Sequence, residues 1–388
     1  MRRGSGRGYN YHAMPADRQP RRQEPCRRTA AAAFLLALLA FAAPGCRPAG
    51  APKPGPGLEK YEEGRCYDGY TLFSHNPVGR MRFAPIFLVD MHGREVFRWV
   101  PEVPAIHARL FPGGRLFYNT TSATQLDRGE YGIYELARDG SVVWRLPGEI
   151  SHDFQLLPGD AVLFSQDDGH NPLIKIVSRD GETLWTWNSL HHLGELSRFA
   201  GREVRAEGDW AHSNNAALLG PNALEASDPR FKRGNILFSF ANLNLVGIID
   251  YPSGEVVWGW GPGEIWAQHS PEMLPDGNIL IFDNGRSRSR VVEVEPLTGR
   301  IAWEFTEGED FNTFYSPTIS NAQRLPNGNT LICDGGRGRL FEVTRAGEVV
   351  WDYRSPYGSL TGNRSIYRAY RYPARLAKPL RPRPAEAR

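Results

Sequence analysis

Cysteine is scarce in this chain. Four of the 388 residues are cysteine, and neither a C-x-x-C pair nor an H-E-x-x-H motif occurs. These absences argue against a small disulfide-stapled scaffold and against the common zinc sites. Cys66 and Cys333 lie in the first and last parts of the repeat region described below, and the sequence leaves open whether they form a disulfide or stay reduced.

Positive and negative charges are also nearly balanced, except in the first 45 residues. The formal net charge is +3 at pH 7. Residues 1–45 contain eight Arg and two acidic residues, and the rest has 38 Lys and Arg against 41 Asp and Glu. A nucleic-acid partner is therefore not expected. The acidic stretches at 167–168 and 307–310 match no known cation-binding loop, so we expect no metal and no cofactor.

The one long apolar run, at residues 30–43, follows an Arg-rich segment. It is shorter than the roughly 20 residues that a membrane-spanning helix needs, and it is typical of an export signal. The following residues, Ala43-Pro44-Gly45-Cys46, resemble the cleavage box of a bacterial lipoprotein. The first two positions depart from the usual pattern, which has Leu in place of Ala43 and no Pro at the second.

We therefore interpret residues 1–46 as an export signal of the lipoprotein type, with Cys46 lipidated, and residues 47–64 as a Pro/Gly linker. Plain secretion and an uncleaved anchor are the alternatives, and translation from Met14 instead of Met1 would shorten the basic segment. The expected location is the periplasm, with membrane contact only through the lipid anchor.

A tryptophan recurs through the rest of the chain, each time closing a G-x-x-x-W-like unit. Stretches such as LPDGNILIF and LPNGNTLIC alternate with these units, and Gly or Asn stands where a tight hairpin needs positive φ. Repeats of about 40–50 residues with short strands are typical of a β-propeller. The successive spacings are 45, 41, 73, 45 and 48 residues, between Trp99, Trp144, Trp185, Trp258, Trp303 and Trp351.

Six such units predict an all-β chain with a single six-bladed β-propeller over residues 65–375, followed by a disordered Pro/Arg tail at 376–388. We interpret the long interval between Trp185 and Trp258 as an insertion and not as a missing blade. The unit that ends at Trp351 is the last one, so we expect an N-terminal strand to pair into the last blade and close the ring.

Three of the ten histidines share one phase of the repeat. His152 and His269 stand six residues before the Pro of a Leu-Pro turn, and His212 has the corresponding place in AHSNNAALLG. In a radially symmetric fold equal phase means equal orientation, so these imidazoles should converge on the axis. Ser320 has the same place in a later blade and would add a hydrogen-bond donor.

Several strings of the chain resemble the bacterial arylsulfotransferase family. They are SHDF at 151–154, DWAHSN at 209–214, QHSPEMLPDGNILIFDNG at 268–285 and FYSPTISNAQRLPNGNTLICDGGRGRLFEV at 314–343. The resemblance covers roughly residues 65–375. It implies an exported six-bladed propeller that moves a sulfuryl group from an aryl sulfate donor to a phenolic acceptor. The transfer would need no nucleotide sulfate donor and would pass through a transiently sulfated histidine.

The resemblance also implies roles for the phased residues. His269 matches the nucleophile, and His212 and His152 match the other catalytic histidines. Asn214 would bind substrate on the same strand face as His212, because strand side chains alternate. The chemistry is consistent with these residue types, since a neutral imidazole is a good nucleophile near pH 7 and a second one can protonate a leaving phenolate.

One position departs from the family pattern. The family has an Arg in the strand after D-W-x-H-x-N, whereas Phe240 and Ala241 stand there in this chain. A sulfuryl group in transfer carries negative charge, so another cation would have to serve. We expect it among Arg286, Arg288 and Arg337.

Two other functions stay open at this point. The missing Arg favours a non-catalytic ligand-binding or scaffolding lipoprotein propeller, whereas the phased histidines oppose it. A quinone-cofactor propeller dehydrogenase is the second alternative, although the extra blades and acidic channel ligands that it needs are not visible. The sequence does not indicate the oligomeric state.

Overall fold

The computed structural model describes residues 54–77, 83–120, 127–168, 170–308, 313–358, 362–377 and 380. The expected export signal with Cys46 lies outside these residues. In the described part of the chain, no helix is both long and apolar enough to cross a membrane.

Strands dominate the described residues, as the repeats predict. Two short helices, α1 (Leu193–Ala200) and α2 (Ala374–Ala377), accompany them. In chain order the strands are β1 Leu58–Tyr61, β2 Tyr70–His75, β3 Ile86–Val89, β4 Glu95–Trp99, β5 His107–Phe111, β6 Arg115–Asn119, β7 Gly132–Leu136, β8 Val142–Pro147, β9 Ser151–Leu156, β10 Val162–Asp168, β11 Asn171–Val177, β12 Thr183–Asn188, β13 Ser213–Leu218, β14 Ile236–Phe240, β15 Leu245–Ile249, β16 Val256–Trp260, β17 His269–Met273, β18 Ile279–Asp283, β19 Arg290–Glu295, β20 Arg300–Phe305, β21 Asn321–Arg324, β22 Thr330–Asp334, β23 Arg339–Val343, β24 Val349–Arg354 and β25 Ile366–Tyr372.

These strands form six antiparallel sheets, which are the blades of a propeller. From the axis outward, blade 1 has the order β25-β2-β3-β4, and blades 2 to 5 are β5–β8, β9–β12, β13–β16 and β17–β20. Blade 6 consists of β21–β24 with β1 added at its outer edge. The predicted six-bladed propeller is therefore confirmed. Helix α1 belongs to the long interval before Trp258, where an insertion was expected.

Both ends of the propeller segment take part in closing the ring. The predicted N-terminal closure is present, because Tyr61 of β1 pairs opposite Trp351 of β24. Strand β1 falls within residues 47–64, so this part of the expected linker belongs to the propeller. A second closure was not predicted: β25 pairs with β2, with Tyr372 opposite Tyr70, and becomes the innermost strand of blade 1. The C-terminal strand therefore lines the axis.

The hydrophobic core lies between the blades. Leu163 and Ile174 of blade 3 pack in one buried cluster with Ile236 and Phe238 of blade 4, and comparable clusters occur at the other five blade contacts of the described residues. Fully burying one such side chain is worth about 1.5–3 kcal/mol. Neighbouring blades thus pack through their faces. The edges of the innermost strands are left to line a channel.

The motif tryptophans join neighbouring blades. Trp144 Nε1 donates to Arg179 O at 2.8 Å, and Trp258 Nε1 donates to Pro296 O at 3.0 Å. Each acceptor lies in the turn between the two outer strands of the next blade. At the ring closure, Trp351 Nε1 donates across to blade 1 in the same way (2.9 Å to Met91 O).

Replacing Trp351 by alanine is expected to lower the free energy of unfolding by about 3–5 kcal/mol, because a fully buried ring at the closure is lost. Trp351→Phe keeps an aromatic ring but loses the hydrogen bond to Met91, so it should cost about 1 kcal/mol beyond the difference in packing. Denaturant unfolding measures both values. A loss under about 1 kcal/mol for the alanine variant would contradict this role.

The two cysteines of the propeller are not paired. Cys66 Sγ donates to Val350 O at 3.2 Å and to Glu62 O at 3.3 Å, and Cys333 Sγ donates to Ile366 O at 3.8 Å. Both are free thiols. Of the two options left open by the sequence, the structure therefore has the reduced one.

Candidate active site

The three phased histidines lie where the innermost strands of blades 3, 4 and 5 begin. His152 is the second residue of β9, His212 directly precedes β13, and His269 opens β17. Because innermost strands line the channel of a propeller, residues at their starts meet at one end of it. The ring centroids of His152 and His212 are 4.9 Å apart, and His269 is close enough to affect the titration of His152. We call these three residues the histidine cluster.

The backbone is irregular at these strand starts. The φ angles are 43° at His152 and 50° at His212, in the left-handed region that residues other than glycine rarely adopt. The pairing of β9 with β10 and of β13 with β14 shifts register at the same points. Bulges of this kind redirect side chains and concentrate at functional sites. Local strain and the phased histidines thus coincide.

The ring of His269 is held in one orientation. Its Nδ1 lies 2.7 Å from Asn284 Oδ1 and 3.0 Å from Ala267 O. Asn284 Nδ2 donates to Ser316 O and Ile319 O, so the amide oxygen is the atom that faces His269. Two acceptors at Nδ1 place the proton there and leave a lone pair on Nε2.

Burial keeps two of the imidazoles uncharged. Desolvation lowers the pKa of His269 to about 3. The hydrogen bond that Nδ1 donates to Asn284 opposes this shift, and the nearby Arg368 adds to it. Desolvation also lowers the pKa of His152 well below its usual range, and His212 and His269 add to this shift. A neutral imidazole retains a lone pair, so His269 can act as a nucleophile throughout the neutral pH range.

His212 is the solvent-accessible member of the cluster. Its side chain is 38% exposed, and its Nδ1 lies 2.5 Å from Asp209 Oδ2. A carboxylate accepts the Nδ1 proton, so Nε2 is the atom that can give up or take a proton. Asp209 and His212 therefore form a pair suited to general acid–base chemistry.

A guanidinium that the sequence analysis did not select lies beside the cluster. Arg368 on β25 is 2% exposed, and its Nη2 donates to Asn214 O at 2.8 Å. Its Nε has no hydrogen-bond partner among the described residues. Burial opposes its charge, but Asp153 and Tyr370 outweigh burial and hold the pKa of Arg368 above its usual range. The closing strand thus brings a permanent cation to the axis.

Asp153 anchors this cation. Arg368 Nη1 lies 2.7 Å from Asp153 Oδ2, while Arg109 Nη2 and His107 Nδ1 lie 3.5 Å and 3.4 Å from Oδ1. Burial would raise the pKa of Asp153, but Arg368 and Arg109 outweigh burial and lower it. One carboxylate is therefore shared by two guanidiniums, which leaves a net positive charge in this layer.

Asn214 lies in the contact between blades 4 and 5. Its Nδ2 donates to Gln268 O at 3.1 Å, and its Oδ1 is buried without a hydrogen-bond partner among the described residues. The strand begins at Ser213 and bulges before Asn215, so strict alternation does not extend back to His212. Asn214 therefore positions the residue before His269, and its role in substrate binding stays a prediction.

Three other residues expected at the site have different partners. Ser320 Oγ donates to Ser316 Oγ at 2.9 Å and accepts from Gly335 N at 3.0 Å. Arg337 Nη1 donates to Tyr315 O at 2.6 Å, and Arg288 is exposed. None of these hydrogen bonds is to a histidine of the cluster, and the substrate-binding roles of Ser320, Arg288 and Arg337 also stay predictions.

Packing explains the position where the family pattern has an Arg. Phe240 is fully buried between Trp210 and Phe238, and Ala241 begins the turn that follows β14. An arginine there would place a charge in the core between blades 3 and 4. The cation of the site comes instead from Arg368, on a different blade.

Sequence reasoning missed four further residues of the site. Asp209 lies inside the D-W-x-H string and Asn284 inside the string that follows His269, so both were visible but had no assigned role. Asp153 lies next to His152, and Arg368 has only the alternation of IYRAYRY as a signal. Within the described residues no group of three or more His, Cys, Asp or Glu side chains is arranged to hold a metal ion.

Fold and site together define a six-bladed propeller with three histidines, two of them held neutral by burial, and a buried cation at one end of its axis. Residues 166–356 match the family model described as Arylsulfotransferase (ASST). Over these residues, a little less than half of its length, the chain is therefore similar to the arylsulfotransferase family. Among curated proteins, none is significantly similar in sequence.

Solved structures are similar in fold at low sequence identity. A protein of unknown function from Bacteroides caccae has a TM-score of 0.50 at 16% identity, over 78% of this chain and 98% of its own. A putative 6-phosphogluconolactonase from Bacteroides fragilis has 0.46 at 10%, over 80% and 99%. Virginiamycin B lyase from Staphylococcus aureus has 0.42 at 12%, over 77% and 88%. The likeness to the first of these reflects the propeller fold alone.

Proposed function

We propose that this protein is an exported aryl-sulfate sulfotransferase that transfers a sulfuryl group to a phenol through a sulfated His269. The observation that supports this most directly is the state of the His269 ring. Its proton is held on Nδ1 by Asn284 and Ala267, and its pKa is lowered to about 3. Nε2 is thus an uncharged nucleophile with its lone pair available at neutral pH.

In the first half-reaction, His269 Nε2 attacks the sulfur of the aryl sulfate. The N–S bond forms, the bond from sulfur to the aryl oxygen breaks, and the electron pair leaves with that oxygen. A proton from His212 Nε2 converts the phenolate into phenol. The imidazole ring of His269 keeps its Nδ1 proton and gains an SO3 group.

In the second half-reaction, neutral His212 takes the proton of the acceptor phenol. The acceptor oxygen attacks sulfur, the N–S bond breaks, and the electron pair returns to His269 Nε2. His212 ends protonated, as it began, so atoms and charges balance over the cycle. Asp209 keeps the His212 ring in one orientation through both steps.

Arg368 and His152 would stabilise the sulfuryl oxygens. The net positive charge of the layer of Arg368, Arg109 and Asp153 opposes the negative charge that develops during transfer. Arg368 Nε and His152 Nδ1 are both buried without hydrogen-bond partners in the described structure, so each has a bonding position to offer. A cation at this place also removes the main argument for a non-catalytic propeller.

The proposal is tested by turnover of 4-nitrophenyl sulfate with and without phenol. Nitrophenol release that rises with phenol, with one phenyl sulfate formed for each nitrophenol, is expected. Nitrophenol release that does not change with phenol concentration and yields only inorganic sulfate would indicate a hydrolase. No release from a series of aryl sulfates with several phenolic acceptors would contradict the proposal.

His212→Gln is expected to slow transfer by roughly 10²–10⁴-fold for donors with poor phenolate leaving groups, because general acid catalysis is lost. The loss should be much smaller with 4-nitrophenyl sulfate, whose leaving group needs little protonation. Equal losses for good and poor leaving groups would show that His212 is not the proton donor.

The location of the protein belongs to the same proposal. We propose that it is exported to the periplasm and held at the membrane by lipidated Cys46. The distribution of the protein between membrane and soluble fractions, with Cys46→Ser beside the wild type, tests this. A wild type that stays in the soluble periplasmic fraction would contradict the anchor.

A further inference from the structure

A cavity lies on the propeller axis, apart from the histidine cluster. Its volume is about 310 Å³, near the lower end for small-molecule sites. Its walls include Asp153 but none of the three cluster histidines. All six innermost strands contribute a polar residue to its walls: Arg109, Gln155, Asn215, Glu272, Gln323 and Tyr370. We call this space the axial cavity.

The buried polar atoms of the axial cavity that lack partners in the described structure are hydrogen-bond donors. Asn215 is 3% exposed, and its Nδ2 has no hydrogen-bond partner in the described structure; the same holds for Arg109 Nε. Gln155 Oε1 accepts from Leu218 N at 2.6 Å, and Gln323 bonds to the backbone of Arg371 through both amide atoms, so these two are engaged. The cavity therefore offers unpaired donors, which calls for an acceptor-rich ligand.

Arg109 is fixed so that it faces this space. Its guanidinium lies 4.5 Å from the ring centroid of Tyr370, and Nη2 donates to the Tyr370 hydroxyl at 3.1 Å. Its side chain is 31% exposed although it lies inside the ring of blades. Asp153 does not neutralise it fully, because that carboxylate is shared with Arg368 at 2.7 Å.

Glu272 makes the charge of the cavity depend on pH. The charged and titratable groups around it are Arg109, Arg324, Asp153 and Tyr370. Glu272 is exposed to the cavity, yet desolvation within the ring of blades raises its pKa to about 7, against the opposing effect of Arg109 and Arg324. Below that pH the carboxyl is neutral, and the surrounding charge is positive.

We propose that the axial cavity binds a small organic anion. Its charged oxygens accept hydrogen bonds from Arg109 and Asn215, and its apolar body lies against Ala217, Leu218 and Met273, which line the same walls. An ionised Glu272 would repel the anion, so binding is coupled to the uptake of one proton. The axial cavity shares Arg109 and Asp153 with the charged layer beside the histidine cluster, but none of the three histidines lines it, so anion binding does not depend on the proposed transfer chemistry.

The test is calorimetric titration of the full-length protein with benzoate and, separately, with inorganic sulfate. Benzoate should bind more tightly than sulfate, because only benzoate uses the apolar wall. Benzoate affinity should fall about tenfold between pH 6 and pH 8, as expected for one group that titrates near pH 7. Glu272→Gln should bind benzoate with little dependence on pH.

Ala217→Phe fills the cavity, since residue 217 faces the same side of β13 as Asn215. It should weaken benzoate binding at least tenfold, whereas Ala302→Phe, on outer strand β20, should leave binding unchanged. Thermal unfolding of both variants confirms that they fold. No saturable benzoate binding, sulfate binding as tight as benzoate, or full affinity in a folded Ala217→Phe protein would each overturn the proposal.

Discussion

Replacing His269 by alanine is expected to lower aryl-sulfate turnover by about four orders of magnitude or more. The reason is that the covalent route ends when its nucleophile is removed. The loss should appear in kcat and kcat/KM together. Steady-state rates with 4-nitrophenyl sulfate and phenol measure it.

Two controls make this result specific. His191→Ala removes an exposed histidine from the insertion and should keep full activity. Equal thermal unfolding of the wild type and the His269→Ala protein would show that the site, and not the fold, is lost. A His269→Ala protein that retains more than about a tenth of wild-type turnover would show that another group forms the intermediate or that none forms.

Removing the buried cation, Arg368, is expected to cause the second largest loss of turnover. Replacing only Arg368 would leave the Asp153 carboxylate without its strongest partner, at a cost of about 3–5 kcal/mol in stability. The double variant Arg368→Gln with Asp153→Asn avoids this, because both partners become neutral amides. We expect it to fold and to lose about 10²–10³-fold in kcat, the usual cost of removing one donor to a developing oxyanion.

The closing strand offers a matched control for that pair. Arg371 and Glu342 form another buried ion pair, 3.1 Å apart, with both side chains 0% exposed. Arg371→Gln with Glu342→Gln should therefore change stability by a similar amount while turnover stays near that of the wild type. If both double variants lost activity equally, Arg368 would be only a structural residue.

The architecture could be predicted because each blade repeats its own local signals. A motif tryptophan, a Gly-containing turn and an apolar strand recur once per blade, and periodicity of this kind does not depend on distant contacts. The convergence of His152, His212 and His269 follows from their phase in the repeat. In the structure Trp351 lies between blades, where its Nε1 joins blade 6 to blade 1.

The cation could not be predicted, because its place depends on how the ring closes. Arg368 lies in IYRAYRY near the end of the chain, and only the pairing of β25 with β2 brings that strand to the axis. Nothing in the local sequence distinguishes this closure from the N-terminal closure that was expected. The sequence therefore indicates Arg286, Arg288 and Arg337 as replacements, which lie within or just after the family strings.

The orientation of individual polar side chains could not be predicted from the sequence either. Alternation along a strand predicted that Asn214 and His212 face the same way, but the bulge after Ser213 breaks the count. The orientation of the His269 ring depends on Asn284, which the chain brings close only through the pairing of β17 with β18. Such contacts follow from tertiary structure and have no periodic signal.

The most direct test of the account is to trap the covalent intermediate. The protein is mixed with 4-nitrophenyl sulfate in the absence of any acceptor, quenched, digested under conditions that preserve the N–S bond, and analysed by mass spectrometry. The account predicts the added mass of one SO3 group on the peptide that contains His269, its disappearance when phenol is added before the quench, and its absence in His269→Ala. An active enzyme that carries no sulfuryl group on His269, or carries it on another residue, would contradict the account.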